Sequence, residues 1–323
     1  MIETFSAPTR AWFTSTLGEP TSAQAQAWEA ISTGKHALVV APTGSGKTLT
    51  SFLWAVDRLL AAPPPADPRH RCRVLYVSPL KALAADVERN LEAPLRGIRA
   101  MPGGERLAEL TTGVRTGDST PTERRRLVRT PPDILITTPE SLFLMLTSGA
   151  RESLRGVETV VVDEVHVLAG SKRGAHLALS LERLDELLAR PAQRVGLSAT
   201  VRPADRVARF LAGAREGEGA REVVVVEPPS TKRIVVDVVV PVRDLTQLAV
   251  APGDTQPADD GARSPVPSIW PHVEERIVDL VAAHRSTLVF TNSRRGAERL
   301  TARINEVWAE RHGQDVPDPG TAQ

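Results

Sequence analysis

The stretch Ala41-Pro42-Thr43-Gly44-Ser45-Gly46-Lys47-Thr48 limits what this chain can fold into more than any other. The apolar, β-branched run Ala37-Leu38-Val39-Val40 leads into it. Leu49, Phe52, Leu53, Val56, Leu59 and Leu60 follow at three- and four-residue spacing, the period of an amphipathic helix. Strand, glycine-rich turn and Gly-Lys-Thr opening a helix make the layout of a phosphate-binding loop. In such a loop, backbone N–H groups curl around phosphate oxygens and the helix N-terminus adds positive potential. Gly44 and Gly46 are therefore expected to tolerate tight backbone geometry, with Thr43 and Ser45 completing the wrap. Lys47 is expected to reach the β- and γ-phosphates, and the Thr48 hydroxyl to ligate Mg²⁺. The strict pattern opens on glycine, and here that position is Ala41. A plain flexible turn between core elements is the alternative, and the strand and helix on either side argue against it. Only 5 of the 40 basic residues are lysines, which makes a lysine at position 47 less easily accidental.

Composition sets the outer limits. A chain of 323 residues suggests about two domains. Its 41% hydrophobic and 24% charged residues fit an ordinary globular protein with a substantial core. A net charge of +1 gives no global electrostatic case for a polyanion partner, so nucleic-acid binding must rest on local patches. One cysteine, Cys72, excludes an internal disulfide and suits a reducing compartment. The N-terminus lacks a basic start followed by an apolar run, and no stretch reaches membrane-spanning length. These features predict a soluble cytoplasmic protein.

Along the chain, strands predicted at 73–78, 113–115, 133–137, 157–162 and 193–197 alternate with helical patterns, which argues for a doubly wound α/β domain over about residues 20–215. Ligands of such sheets bind beyond the carboxyl ends of the strands. Lys47, Thr116, Thr138, Asp163 and Ser198 all lie just past predicted strand ends, hence on one rim. Beyond Arg221 the composition changes. Val223–Val226 and Ile234–Val240 read as strands joining two domains, and residues 251–267, rich in Pro, Gly, Asp and Ala, as a flexible linker. A helix at 272–283, a strand at 286–290 and a helix at 296–310 read as the start of a second α/β unit, followed by a disordered tail. The expected division is 1–215, a connector over 216–270, and 271–323.

Asp163-Glu164, delivered by an apolar strand, supplies what the phosphate loop lacks. An Asp at a strand end can hold Mg²⁺, and the adjacent Glu can polarise an attacking water. Two acids alone mean little; their shared rim with Lys47 makes the pair specific.

With these residues in place, the loop, Asp163-Glu164-Val165-His166 and Ser198-Ala199-Thr200 resemble motifs I, II and III of superfamily 2 DEAD/DEAH-like helicases. Gln24, by residue type a surface glutamine, lies in Pro20-Thr21-Ser22-Ala23-Gln24, which resembles the Q motif whose glutamine contacts adenine. Ser78-Pro79-Leu80-Lys81-Ala82-Leu83 resembles motif Ia, Thr138-Pro139-Glu140-Ser141-Leu142 motif Ib, and Phe290-Thr291-Asn292-Ser293-Arg294-Arg295 motif IV. The Val-His ending of motif II, with Pro-Glu-Ser-Leu and Asn-Ser-Arg-Arg, is most similar to the large helicase-related (Lhr) family.

The resemblance implies a RecA-like doubly wound parallel sheet followed by an incomplete second RecA-like domain. It further implies ATP and Mg²⁺ as cofactors, and 3′ to 5′ translocation on single-stranded DNA. Pro79, Lys81, Thr116, Gly117, Thr138, Pro139, Glu140, Ser141, Asn292 and Arg294 would meet the strand backbone, holding phosphates without reading sequence. His166, Ser198, Ala199 and Thr200 would couple nucleotide to strand. Nothing after Arg295 resembles motifs V or VI, and the family's arginine fingers come from motif VI. An arginine finger is worth about 10³–10⁵ in turnover, so slow hydrolysis is expected of this chain by itself. A non-motor ATP- and nucleic-acid-binding module and a DEAD-box-type RNA helicase remain as alternatives.

Overall fold

In the computed structural model the described residues are 2–42, 44–215, 219–229, 235–242, 250–257 and 263–313. Chain contacts divide the protein into two units, Met1–Lys232 and Arg233–Gln323.

The first unit begins with α1 (Ala7–Leu17) and α2 (Ser22–Ser32), then alternates: β1 (His36–Val40), α3 (Lys47–Ala61), β2 (Val74–Val77), α4 (Lys81–Arg99), β3 (Thr112–Arg115), α5 (Pro121–Arg129), β4 (Ile134–Thr137), α6 (Pro139–Leu146), β5 (Thr159–Val162), α7 (Val165–Leu168), α8 (Lys172–Leu187), β6 (Gln193–Ser198) and α9 (Ala204–Ala212). A two-residue pair, β7 (Ala214–Arg215) with β8 (Gly219–Ala220), precedes β9 (Val223–Val226).

Seven strands form one sheet in the order β3-β4-β2-β5-β6-β1-β9, and each neighbouring pair is parallel. Side chains alternate between its faces. Ala37, Val39, Val74, Tyr76, Ile134, Ile136 and Val161 pack with Trp28, Phe52, Val56 and Leu91 from α2, α3 and α4. Leu38, Val40, Leu75, Val77, Leu135, Val160 and Val162 pack with Leu142, Leu177, Leu184 and Leu211 from α6, α8 and α9. Burial on both faces explains why these strands read as nearly unbroken apolar runs. Because all the strands run one way, their carboxyl ends share one rim, and the loops that follow them meet there.

β9 departs from the sequence expectation. Val223–Val226 does not join two domains; it pairs with β1, His36 opposite Val223 through Val39 opposite Val226. The first unit therefore runs past residue 215.

The second unit differs from expectation in three places. Where a flexible linker was expected, β10 (Val250–Pro257) and β11 (Arg263–Pro267) pair antiparallel. Their Pro, Gly and Asp content hides the pairing, since backbone hydrogen bonds do not require an apolar alternation. α10 (Trp270–Ala283) and α11 (Arg294–His312) pack together through Val278, Leu300 and Ala309 and through ion pairs from Arg303 to Glu274 (3.3 Å) and from Arg311 to Asp279 (2.7 Å). The strand predicted at 286–290 takes part in no pairing among the described residues, and Leu288 and Phe290 are 82% and 88% exposed. A β-branched run becomes a strand only where a neighbour supplies its hydrogen bonds, and residues 235–240 are likewise exposed and unpaired. The tail at 314–323 lies outside the described residues.

Candidate functional site

The loop after β1 has the geometry a phosphate cradle needs. Gly44 and Gly46 take φ of +82° and +79°, left-handed values that a side chain would strain. Gly46 is also crowded, since an added β-carbon would lie 2.7 Å from Gln24 Nε2. The loop is pinned at both ends: the Ala41 N–H donates to the Ser198 carbonyl (3.1 Å) and the Thr50 N–H to the Gly46 carbonyl (3.0 Å). Lys47 opens α3 from a buried position, and its amine donates to the carbonyls of Ala41 and Pro42, the latter at 3.0 Å. Burial holds that amine below the ordinary lysine range, while Glu164 and Asp163 pull it back up. The Ser45 hydroxyl is buried without a partner among the described residues, the kind of orphaned donor a phosphate oxygen would satisfy. Thr43 lies outside the described residues.

Asp163 and Glu164 sit at the end of β5, with β6 alone between it and β1. Asp163 is buried, and burial raises its carboxyl above the usual range despite Tyr76, the Glu164 N–H (2.9 Å to Oδ1), Lys47 and His166. Glu164 has φ of +43°, the one positive value outside glycine among the described residues. Such a backbone costs about 1–2 kcal/mol. Here it turns the chain sharply from β5 into α7 and folds the Glu164 N–H onto its neighbour's carboxylate. Thr48, Asp163 and Glu164 line a cavity of about 470 Å³, walled on its apolar side by Trp12, Phe52 and Val87. Two oxygen donors, Thr48 and Asp163, thus face one space. Among the described residues no cluster of three or more potential metal-ligating side chains forms.

His166 ties this corner to the end of β6. Its Nδ1 lies 3.2 Å from Ser198 Oγ and 3.4 Å from Glu164 Oε2, and it accepts from the Ala199 N–H at 3.3 Å. With Nδ1 accepting from a backbone donor, the neutral ring carries its proton on Nε2. The Ser198 hydroxyl donates to the Ala199 carbonyl (2.8 Å). Thr200 is exposed, and its side chain makes no hydrogen bond among the described residues.

Gln24 is buried rather than on the surface, at 5% exposure. Its Oε1 accepts from the Thr21 N–H (2.9 Å), and its own N–H donates to Thr21 Oγ1 (3.2 Å), a capping box that starts α2. The Nε2 end is left against Gly46.

The strand-facing candidates divide into three sets. Lys81, Thr116 and Gly117 come together: Lys81 Nζ pairs with Asp118 Oδ1 (2.6 Å), the Asp118 N–H donates to Thr116 Oγ1 (3.3 Å), and Gly117 lies under the lysine amine. Thr138, Pro139 and Ser141 are buried at the start of α6, where Thr138 Oγ1 accepts from the Ser141 N–H (3.5 Å), so these side chains cap a helix and what they can offer a strand is backbone. Glu140 is held by Arg173 (Nη2 to Oε2, 3.0 Å), which brings its carboxyl down to about 2. Pro79 is buried at the end of β2. Asn292 and Arg294 belong to the second unit, where both are exposed and Arg294 pairs with Glu298 (3.1 Å).

Sequence reasoning missed Tyr76. Its hydroxyl is buried beside Asp163 and Thr48 without a well-formed hydrogen bond. It is the chain's one tyrosine, on a strand otherwise Val-Leu-Val, and that oddity was the available signal.

Comparison with known proteins bears on the same residues. The family description that matches is DEAD/DEAH box helicase, over residues 21–207. The chain is 58% identical over 315 residues to a Mycolicibacterium smegmatis protein named Lhr helicase/probable uracil glycosylase, covering 97% of this chain and 19% of that protein. It is 54% identical to the Lhr helicase/uracil glycosylase of Escherichia coli, covering 96% of this chain and 20% of that one. The solved structure of the Mycobacterium smegmatis helicase Lhr bound to ssDNA and AMP-PNP superposes with a TM-score of 0.76 at 55% identity, over 98% of this chain and 37% of that one. The chain thus spans about a fifth of the length of these curated relatives.

Proposed function

Because the chain belongs to the DEAD/DEAH box helicases, we propose that its first unit binds ATP with Mg²⁺ and, within a motor on single-stranded DNA, couples hydrolysis to 3′ to 5′ movement. One observation carries this reading: Lys47, Thr48, Asp163 and Glu164, far apart along the chain, share one rim and one electrostatic environment. The likeness to a helicase described as bound to ssDNA and AMP-PNP supports DNA as the strand and ATP as the nucleotide.

In this reading the loop amides and Lys47 hold the phosphates. The Lys47 amine exchanges its carbonyl partners for phosphate oxygens, and Ser45 finds the acceptor it lacks. Thr48 and Asp163 would hold the metal, which suits Mg²⁺ because that ion keeps water and phosphate oxygens in the rest of its shell. When bound, it neutralises charge on the β,γ-phosphate oxygens. Glu164 orients and deprotonates the attacking water, a role worth about 10²–10⁴ in rate. Gln24 selects the base. His166 carries the state of Glu164 to Ser198 and Ala199, and so to the loop after β6. Lys81, Thr116, Gly117 and the start of α6 position the strand backbone without reading its sequence, and Asn292 and Arg294 serve the second unit's share. A second RecA-like unit begins within residues 233–313. No helix among the described residues is long and apolar enough to cross a membrane. Cys72, the chain's one cysteine, is free and buried, which fits a reducing cytoplasm.

The test is ATP hydrolysis by this chain with and without single-stranded DNA, in the wild type and in Glu164→Gln. The variant should bind ATP normally and lose hydrolysis by about 10²-fold or more. Hydrolysis that survives in Glu164→Gln removes the catalytic assignment. Competition between DNA and RNA strands of equal length decides the substrate, and an RNA preference would favour a DEAD-box-type activity.

A further inference from the structure

Arg115 ends β3 at the edge of the sheet, opposite Thr137 of β4. In the same row Val77 packs with Leu142 of α6, which places Arg115 on the face that α6 covers. The residue is 9% exposed and its carbonyl accepts from Thr137 Oγ1 (2.7 Å). Its guanidinium is not satisfied. Nη1 is buried with no hydrogen-bond partner, and no carboxylate among the described residues pairs with it. The charge that bears on it is a second cation, Arg124 of α5, whose Nη2 donates to the Gly117 carbonyl (2.9 Å) in the loop directly after Arg115.

Arg194 shows what a buried arginine looks like when its role is structural. It is 1% exposed, and it reaches Asp185 (2.7 Å), Glu182 (3.1 Å) and the carbonyls of Leu211 and Ala212. A buried cation left without such partners is strongly unfavourable. Arg115 sits in that condition next to Arg124, at the rim where the Thr116-Gly117 turn after β3 and the start of α6 after β4 follow neighbouring strands.

We infer that Arg115, with Arg124 beside it, receives one backbone phosphate of the bound single strand, a positioning contact outside every motif the sequence displays. The planar guanidinium fork matches two phosphate oxygens, as a lysine in its place would not. A phosphodiester also supplies the negative charge this pair of arginines lacks. The inference rests on the reading of the rim as a strand-binding surface.

Fluorescence anisotropy of a labelled oligo(dT) with the 323-residue chain, across a salt series, tests it. Arg115→Met should weaken binding roughly 5- to 20-fold at low salt, and reduce the slope of log affinity against log salt by about 0.7, one single-strand phosphate contact. Binding of an ATP analogue should stay unchanged. A wild type that fails to bind the strand removes the strand-binding reading itself. A wild type that binds, with an Arg115→Met slope equal to its own, overturns the inference alone. If methionine at 115 prevents folding, Arg115→Lys decides: the charge remains, so the slope holds, but the fork is gone and affinity falls about 3-fold. Wild-type affinity in that variant overturns the inference.

Discussion

The two units meet the same sequence signals with different outcomes. In the first, Val160–Val162 runs between β2 and β6, every strand has a neighbour, and the acidic pair at its end sits at a strained corner with Asp163 buried. In the second, Leu288-Val289-Phe290 is as apolar and is followed by a polar turn and a helix, yet it pairs with nothing among the described residues and stands in solvent. A strand is a property of two segments, and only one of them is written at the place where the pattern is read. Function follows the same division. Groups that need burial to shift their chemistry, Lys47 and Asp163, sit where a full sheet surrounds them.

The sharpest way to break this contrast is to place a charge in each run. Val161→Asp, inside β5 with no exposure, should destabilise the first unit by more than about 4 kcal/mol. Phe290→Asp should stay within about 0.5 kcal/mol. Denaturant unfolding followed by circular dichroism measures both, and a comparable loss in Phe290→Asp would show that the second run is packed after all.

The next effect in size concerns the loop. Lys47→Ala should weaken ATP by about 100-fold or more, roughly 3 kcal/mol, while the unfolding midpoint barely moves. Unchanged affinity by calorimetry would discredit the phosphate-loop assignment.

Asp163→Asn sharpens the point about burial. The carboxyl is raised by desolvation, so its ionised form costs stability at neutral pH, and that cost disappears as pH falls through the raised titration. The variant should be more stable than the wild type by about 0.5–2 kcal/mol at pH 7, with the gap closing in mild acid. A gap that widens on acidification would reverse the sign of the desolvation argument.

Glu140→Gln should have the smallest effect. Arg173 holds the Glu140 carboxyl at about 2, so the pair's contribution is present above the ordinary value of 4.5 and fades as pH drops toward 2. Both side chains are more than a third exposed, which limits it to under about 0.5 kcal/mol and makes it vanish in high salt. Equal acid limbs for variant and wild type in low salt would show that the pair contributes nothing.

How much was readable in advance depended on whether the signal is local. The loop at 41–48, the acid pair and the six strands through Ser198 announce themselves by composition and spacing within a dozen residues. β9 also reads as a strand, but its place in this sheet does not show, because its partner β1 is nearly two hundred residues away. Thr138 and Ser141 carry the residue types expected of a strand contact, but those types are equally the ones that cap a helix, and burial decides between the two. Gln24 is a surface glutamine by residue type and an adenine contact only by resemblance; its burial comes from α2 packing against the loop, which no local pattern encodes. Arg115 has no sequence signature at all, since what marks it is the lack of a partner.

The crowding between Gln24 and Gly46 has a consequence for nucleotide choice. One end of the glutamine amide is committed to the start of α2, so in the proposed nucleotide role a base would meet only its donor end, and that end is wedged against Gly46. Helix initiation and loop shape therefore depend on a single side chain, and the base contact proposed for Gln24 would depend on it too. Gln24→Glu would keep the helix start and discard the donor, altering discrimination with little change in the scaffold, whereas any residue larger than glycine at 46 would jam all three at once.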